Sequence, residues 1–275
     1  MIIGFLGKGG SGKSTLSALF AQYLSRRGSD TLAIDADYNM DLAFNLGIVD
    51  LPTLKKIGTG MPDIRTHIGV TEREHFRTVF SRTPLPRFTV SPKDTFTSKY
   101  TLQISDKLHL MVAGEHTDNV LYGTHCSHSL FTPLKIYLPL LTLTENQYVV
   151  VDETAGTDAV GTGIVTGFDL ACVCVEPHPQ SIKAALQIAH MLEFYQTPYV
   201  FLGNKINNES GRALLESQLS KKPLMYIGDI QKDHSAEFEK IRLHAHQASR
   251  SNSDRLKRTQ EKFARSAEFE MTHTH

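Results

Sequence analysis

The chain has 275 residues, of which 40% are hydrophobic, so it can bury a sizeable core in one large or two small domains. Its 29 lysines and arginines balance its 29 aspartates and glutamates, which leaves no general field to attract nucleic acid or an anionic membrane surface. No stretch approaches the ~20 apolar residues of a membrane span. We therefore expect a globular protein without a transmembrane segment, and nucleic acid is not an expected partner.

The first elements in chain order are a strand, a glycine-rich turn, a helix and a second strand. The apolar start, Met1–Leu6, reaches glycine and lysine too early for a signal peptide. Apolar residues then recur at helical spacing up to an expected stop near Gly28, and Thr31–Ile34 is the next apolar run. Because these elements follow one another within about 35 residues, they predict a βαβ unit with parallel strands.

The remaining chain alternates apolar strands with helical patterns. Residues 50–105 hold several prolines and mixed charges, and we expect an irregular insertion of short helices and loops there. Further strands are predicted at Leu108–Val112, Tyr148–Val151, Leu170–Val175, Tyr199–Leu202 and Leu224–Ile227. The pattern predicts an α/β fold over residues 1–232, a single doubly wound, mainly parallel sheet flanked by helices.

The polar end of the chain, residues 233–275, predicts a solvated helix or a partly disordered tail. Its last histidines, His273 and His275, are most simply part of a disordered terminus. The three cysteines are an odd number, which argues against a secreted disulfide framework and fits a reducing cytoplasm. Cys172 and Cys174 alternate in an apolar strand and are expected in the core.

The glycine-rich turn matches the pattern G-x-x-x-x-G-K-[ST], with a strand before it and a helix after it. Its residues are Gly7, Lys8, Gly9, Gly10, Ser11, Gly12, Lys13, Ser14 and Thr15. Glycines let consecutive backbone N–H groups point at anionic oxygens, and the following helix adds its positive N-terminal end. Lys13 brings a full charge, and Ser14 offers a hydroxyl to Mg²⁺. The turn therefore predicts a phosphate-binding loop, and a plain glycine turn is the alternative.

The additional lysine, Lys8, narrows the pattern to K-G-G-x-G-K-S. This resembles the deviant Walker A motif of the P-loop ATPase family that includes the nitrogenase iron protein, MinD, ParA and the CooC-type maturation ATPases. The resemblance implies ATP and Mg²⁺ as cofactors and a homodimer in which Lys8 reaches the partner's nucleotide, to stabilise charge that develops during phosphoryl transfer. The alternative for Lys8 is an exposed loop lysine.

The same resemblance gives roles to polar residues at the strand ends. Asp37 matches a switch aspartate that orients the attacking water, and Asp41 matches a second switch aspartate or caps a helix. Asp35 is expected to be structural or to contact the ligands of Mg²⁺ without binding the ion itself, and a helix cap is its alternative as well. Asp152 ends a strand as a Walker B-type aspartate does. Asn204 and Lys205 match the adenine-side dipeptide. The expected Mg²⁺ ligands, direct or through water, are Ser14, Asp37, Asp41 and Asp152.

Residues 152–163 resemble the D-x-E-A-G…G-R-G stretch of CooC-type ATPases, and Glu176 lies in a similar V-E-P segment. CooC-type proteins insert nickel into carbon monoxide dehydrogenase and bind metal through a C-x-C pair. Here Cys126 stands alone, between His125 and His128. Two copies in a dimer could hold Zn²⁺ or Ni²⁺ at the interface, and a thiol without metal is the alternative.

Together these features predict a cytoplasmic, Mg²⁺-dependent ATPase that acts as a dimeric nucleotide switch on a client protein, in metalloenzyme maturation or metal insertion. Lys8, Lys13 and Asp37 are the expected catalytic residues. One alternative is a ParA- or MinD-like positioning switch on DNA or a membrane surface. Another is an adapter that binds ATP without hydrolysing it.

Overall fold

The computed structural model describes residues 1–49, 54–71, 74, 80, 85–115, 122, 127–249 and 252–273. Its strands are β1 (Ile2–Gly7), β2 (Asp30–Ala36), β3 (Phe88–Thr89), β4 (Leu102–Ser105), β5 (Leu108–Val112), β6 (Leu141–Thr142), β7 (Gln147–Glu153), β8 (Leu170–Val175), β9 (Tyr199–Asn204) and β10 (Met225–Ile227). Its helices are α1 (Lys13–Arg26), α2 (Asp41–Asn45), α3 (Met61–Ile68), α4 (Thr95–Lys99), α5 (Thr132–Leu140), α6 (Asp158–Gly161), α7 (Pro179–Phe194), α8 (Glu209–Gln218), α9 (Ser235–Ala248) and α10 (Asn252–His273).

Eight of these strands form one sheet in the order β10-β9-β8-β1-β7-β2-β5-β4. Every neighbouring pair is parallel except β4 and β5, which pair antiparallel at the edge. The short strands β3 and β6 form a separate parallel pair. The predicted doubly wound, mainly parallel sheet is therefore confirmed, with β1 between β7 and β8 near its middle.

Both faces of the sheet are covered. Because side chains alternate along a strand, Ile3 and Phe5 of β1 join a core with Leu16 and Phe20 of α1, whereas Ile2 joins the core on the opposite face. The strands are consequently apolar throughout, as buried parallel strands are. Cys172 and Cys174 are buried free thiols in β8, which confirms their expected place in the core.

The insertion contributes several short elements to the structure. It holds a 3-10 turn at Ile57–Thr59, then α3, β3, α4 and β4. Asp94 begins α4, because its carboxylate accepts the backbone N–H groups of Phe96 and Thr97 at 3.0 and 2.9 Å. Pro62 in the first turn of α3 and Gly69 after its end are at the positions that such residues favour.

The end of the chain differs from the expected solvated helix or tail. The helices α9 and α10 each bury one face against the body of the protein, with Phe238 and Ile241 on α9 and Arg255, Leu256 and Thr259 on α10. A mostly polar helix can pack in this way because its buried face needs only a few apolar residues, and on α10 the buried guanidinium of Arg255 is paired with Asp169. Of the helices in the described part of the chain, none has the length and apolar content to cross a membrane.

Candidate functional site

The glycine-rich loop connects the central strand β1 to α1, at the carboxyl edge of the sheet. Ligands of open parallel sheets bind at this edge. Gly10 and Gly12 have φ angles of 82° and 88°, a region that only glycine adopts without strain. A Cβ on Gly12 would also lie 2.2 Å from Nδ2 of Asn204, so the loop requires glycine there for space as well.

Lys13 is the first residue of α1, and its ammonium points into the site. Its Nζ lies 3.0 Å from Oδ2 of Asp37 and 3.3 Å from Oγ of Ser14, and all three side chains are buried. Burial disfavours the charge of Lys13, but the negative charges of Asp152 and Asp37 outweigh it, so the pKa of Lys13 is raised. The lysine is therefore a permanent cation at neutral pH.

Asp152 follows the apolar part of β7 and pairs in register with Asp35 of β2. Burial raises the pKa of Asp152 to about 6, and Lys13 and the Ser14 hydroxyl oppose that shift. Both carboxylate oxygens are buried, and apart from the nearby Ser14 hydroxyl no group of the described residues offers either of them a hydrogen bond. A buried carboxylate with so few partners next to an ammonium is unusual, and it is chemically suited to a cation or to ordered water.

Asp35, near the end of β2, and Asp41, after it, have different surroundings from Asp37. Asp35 is fully buried, and its carboxylate accepts backbone N–H groups of Asp37 and Ala43 at 3.2 and 3.0 Å, which ties the start of α2 to the strand end. Asp41 is exposed and is the first residue of α2, inside the helix and not before it. Asp41 is therefore not the cap of this helix, whereas the bond from the N–H of Ala43, its third residue, supports the alternative in which Asp35 caps it. Asp41 lies near enough to raise the pKa of both Lys13 and Asp152.

Asn204 and Lys205 hold the loop from its outer side. Nδ2 of Asn204 donates to the carbonyl oxygen of Ser11 at 2.8 Å, and Nζ of Lys205 donates to that of Gly10 at 2.7 Å. Nζ of Lys205 also lies 2.6 Å from Oε1 of Glu176, which follows β8. The end of β9 therefore holds the loop directly, and the end of β8 supports it through Lys205. Both bonds go to carbonyl oxygens of the loop and not to its backbone N–H groups.

Lys8 is half-buried in the loop, and within the described residues its ammonium makes no ion pair. The backbone carbonyl of Lys8 accepts from the N–H of Ser11 at 3.0 Å, which closes the turn. Thr15, at the outer end of the motif, is half-buried in α1. A loop lysine that pairs with no carboxylate of the described residues is able to contact a ligand or a second chain.

Two residues of this region are not among the predicted site residues. Gly156 donates its N–H to the carbonyl of Gly7 at 2.9 Å, which joins the segment after β7 to the loop. Glu153 is fully buried, and its carboxylate oxygens have no hydrogen-bond partner among the residues that the structure covers. Burial, followed by the charge of Asp152, raises the pKa of Glu153 well above the ordinary range. The sequence could have indicated Glu153, because it is a charged residue that directly follows Asp152 at the end of an apolar strand.

The expected transition-metal residue, Cys126, lies outside the described residues. Within the parts of the chain that the structure covers, no three His, Cys, Asp or Glu side chains are grouped so that they could hold a metal ion. The structure therefore does not test a Zn²⁺ or Ni²⁺ site at Cys126.

The chain is similar to several known proteins. It is 28% identical over 233 residues to an uncharacterized ATP-binding protein of Methanocaldococcus jannaschii, covering 82% of this chain and 87% of that one. It is 28% identical over 190 residues to the carbon monoxide dehydrogenase accessory protein CooC of Rhodospirillum rubrum, covering 68% and 67%. A plasmid partition protein of Borrelia burgdorferi has the same fold, with a TM-score of 0.59, 16% identity and coverage of 90% and 97%.

The family model described as the CobQ/CobB/MinD/ParA nucleotide-binding domain matches residues 2–242, which is most of the chain. The match includes the glycine-rich loop, the aspartates at the ends of β2 and β7, and the Asn204–Lys205 pair. The predicted resemblance to P-loop ATPases of the MinD, ParA and CooC group is thereby confirmed. The chain belongs to the CobQ/CobB/MinD/ParA family of nucleotide-binding domains.

Proposed function

We propose that the protein is a Mg²⁺-dependent ATPase that works as a dimeric nucleotide switch on a client protein. The observation that carries the proposal is the convergence of Lys13, Asp37 and Asp152 beside the glycine-rich loop at the carboxyl edge of the sheet. These side chains come from three different elements and meet at one point. The loop, the cation and the carboxylates are the parts that phosphoryl-transfer sites of this kind share.

The residues present fit MgATP. At Gly10 no atom lies within 4 Å of the position that a Cβ would take, so a phosphate oxygen can approach the loop backbone there. The buried carboxylate of Asp152 and the hydroxyl of Ser14 are oxygen groups of the type that Mg²⁺ and its water shell prefer. When bound, Mg²⁺ would neutralise charge on the phosphate oxygens.

In this proposal Lys13, Asp37 and Lys8 have different roles. In the structure, Lys13 pairs with Asp37. We expect a bound phosphate to compete with Asp37 for the Lys13 ammonium, because a phosphate carries more anionic oxygens than a single carboxylate does. Asp37, once released, is placed to accept a hydrogen bond from an attacking water. Lys8 has no ion pair in the described part of its own chain and is the group we assign to the partner's nucleotide in a homodimer.

The client role is part of the same proposal. We assign the protein to metalloenzyme maturation because its relative in Rhodospirillum rubrum is a carbon monoxide dehydrogenase accessory protein. The buried free thiols of Cys172 and Cys174 suit a reducing compartment, which supports a cytoplasmic location.

The proposal is tested by measuring MgATP binding and turnover for the parent, Asp37→Asn and Lys8→Ala. We expect both variants to bind MgATP, because the loop and Lys13 remain. Turnover should fall on the order of 100-fold for Asp37→Asn and on the order of 10³-fold for Lys8→Ala. Analytical ultracentrifugation with MgATP should show a dimer for the parent.

The matched control is Asp106→Asn, at an exposed turn far from the loop, which should leave turnover unchanged. A parent that binds MgATP tightly but shows no turnover, with or without client extracts, would replace the enzyme assignment with a non-hydrolysing adapter. A parent that fails to bind MgATP would remove the proposal altogether.

A further inference from the structure

A second cavity lies away from the glycine-rich loop, between the end of α7 and the middle of α10. Its volume is about 420 Å³, which is within the size range of small-molecule sites. Aromatic rings form part of its wall, and two of them, Phe194 and Phe269, are each 62% exposed. Large aromatic side chains at the edge of a concave surface are a common feature of binding sites.

The cavity is strongly cationic on the α10 side. Arg258, Lys262 and Arg265 lie on one face of the helix, since their spacing is four and then three residues. The acidic residue of the lining, Glu261, has its Oε1 3.8 Å from Nζ of Lys257, a residue outside the cavity. The lining therefore carries an excess of positive charge.

Arg258 is fixed in place. Its Nε donates to the carbonyl oxygen of Thr166 at 3.3 Å, and its Nη2 donates to that of Phe168. Its guanidinium is thus bonded to the 3-10 turn at Ile164–Gly167 and the residue after it. The positive wall is held rigidly on this side.

Lys262 is a half-buried cation that makes no ion pair with any residue in the described part of the chain. Its ammonium lies 5.4 Å from the ring centroid of Tyr195. The ammonium also packs on Gly163, where a Cβ would lie 1.5 Å from Nζ. Burial, followed by the nearby charge of Lys135, lowers the pKa of Lys262 to about 8. An anion in the cavity would relieve this unfavourable arrangement.

We propose that this cavity binds a small organic anion with a planar aromatic ring, whose charge contacts Lys262 and Arg265 and whose ring lies against Phe194 and Phe269. The apolar walls remove the ligand's ring from water. The Lys262 ammonium, which pairs with no carboxylate of the described residues, balances the ligand's negative charge. The site is separate from the glycine-rich loop and does not depend on the proposed ATPase function.

Lys262 also connects the cavity to the rest of the molecule. Gly163, on which its ammonium rests, ends the segment that starts after Asp152 and bonds to the loop through Gly156.

The test uses 2-naphthoate as the probe and 2-naphthamide as its neutral isostere, with binding to the full chain measured by calorimetry. We expect one naphthoate per chain and binding of naphthamide that is at least tenfold weaker. Lys262→Met should weaken naphthoate binding roughly 10- to 100-fold, the loss expected for one charge-assisted contact. Lys262→Arg should restore most of it.

Two controls separate this site from others. Lys240→Met, at an exposed position on α9 outside the cavity, should leave the affinity unchanged. Lys13→Ala should also retain naphthoate binding, so failure of the ATPase proposal would not affect this result. Equal binding of naphthamide, or equal binding of naphthoate by Lys262→Met with an intact thermal transition, would overturn the proposal.

Discussion

Three carboxyl groups meet at the ends of β2 and β7 in surroundings with little water. Asp35, Asp152 and Glu153 are each fully buried, and burial followed by the charge of a neighbouring carboxylate or ammonium sets their pKa values. Burial raises all three, and Lys13 opposes the rise for Asp152. A site of this kind stores unfavourable electrostatic energy that a bound cation can relieve.

Asp35 provides a test of this arrangement, because burial and the charge of Asp152 raise its pKa to about 8, against an ordinary value of 3.8. A raised carboxyl pKa adds stability that is complete below about pH 4 and is lost as pH rises through about 8. Asparagine does not ionise, so Asp35→Asn does not lose this stability as the pH rises. The free energy of unfolding of the variant, relative to the parent, should therefore increase with pH across that window, by at most ~1.4 kcal/mol per pH unit.

The measurement is urea unfolding without nucleotide at several pH values between 4 and 8. Asp106→Asn, at an exposed turn, serves as the control whose difference from the parent stays flat. If the curves for Asp35→Asn and the parent ran parallel over the whole window, Asp35 would not be a buried, protonated group.

At the scale of elements, the loop between β1 and α1 is held by contacts from distant strands. Asn204 at the end of β9, Glu176 after β8 and Gly156 after β7 each fix one part of the loop or its supports. The loop is therefore rigid before any ligand arrives, which lowers the entropic cost of binding.

Gly12→Ala tests how closely Asn204 approaches the loop. The variant should lose about 1 kcal/mol from its left-handed backbone, and further stability because the new Cβ would lie 2.2 Å from Nδ2 of Asn204. Gly28→Ala is a matched control, since Gly28 has a φ of 84° and nothing within 4 Å of the added Cβ. Chemical unfolding of both variants gives the difference.

We expect Gly12→Ala to be the more destabilised of the two, and the double variant with Asn204→Ala to recover part of that difference. Equal losses for Gly12→Ala and Gly28→Ala would mean that backbone strain alone selects glycine at position 12.

At the scale of the whole molecule, the last helix is locked to the first strand through one buried ion pair. Nη1 of Arg255 lies 2.6 and 2.7 Å from the two carboxylate oxygens of Asp169, and Nη2 donates to the carbonyl of Leu141 at 3.1 Å. Oδ2 of Asp169 also accepts the backbone N–H of Ile2 at 2.7 Å. The pair thus connects α10, the start of β8 and the start of β1.

Arg255→Met should destabilise the protein by about 3–5 kcal/mol, because it leaves the carboxylate of Asp169 buried without its partner. Lys257→Met is the control on the same helix, where the side chain is exposed and the loss should be within ~0.5 kcal/mol. Thermal and urea unfolding measure both. The double variant Arg255→Met with Asp169→Asn, which removes both charges, should lose less stability than Arg255→Met alone. Unfolding transitions of Arg255→Met and Lys257→Met that could not be distinguished would contradict the proposed role of the ion pair.

The sequence by itself determined the parallel sheet, the glycine-rich loop and the place of Asp37 and Asp152 at strand ends. These features depend on local spacing: apolar runs, a nine-residue motif and the residue that follows a strand. Only the tertiary structure decided that Asn204 supports the loop, that Arg255 is buried and that no carboxylate of the described residues pairs with Lys262. The contact of Asn204 with Ser11, for example, joins residues 193 positions apart. Such individual contacts depend on which strands and helices become neighbours, and the spacing of residues along the chain does not reveal them.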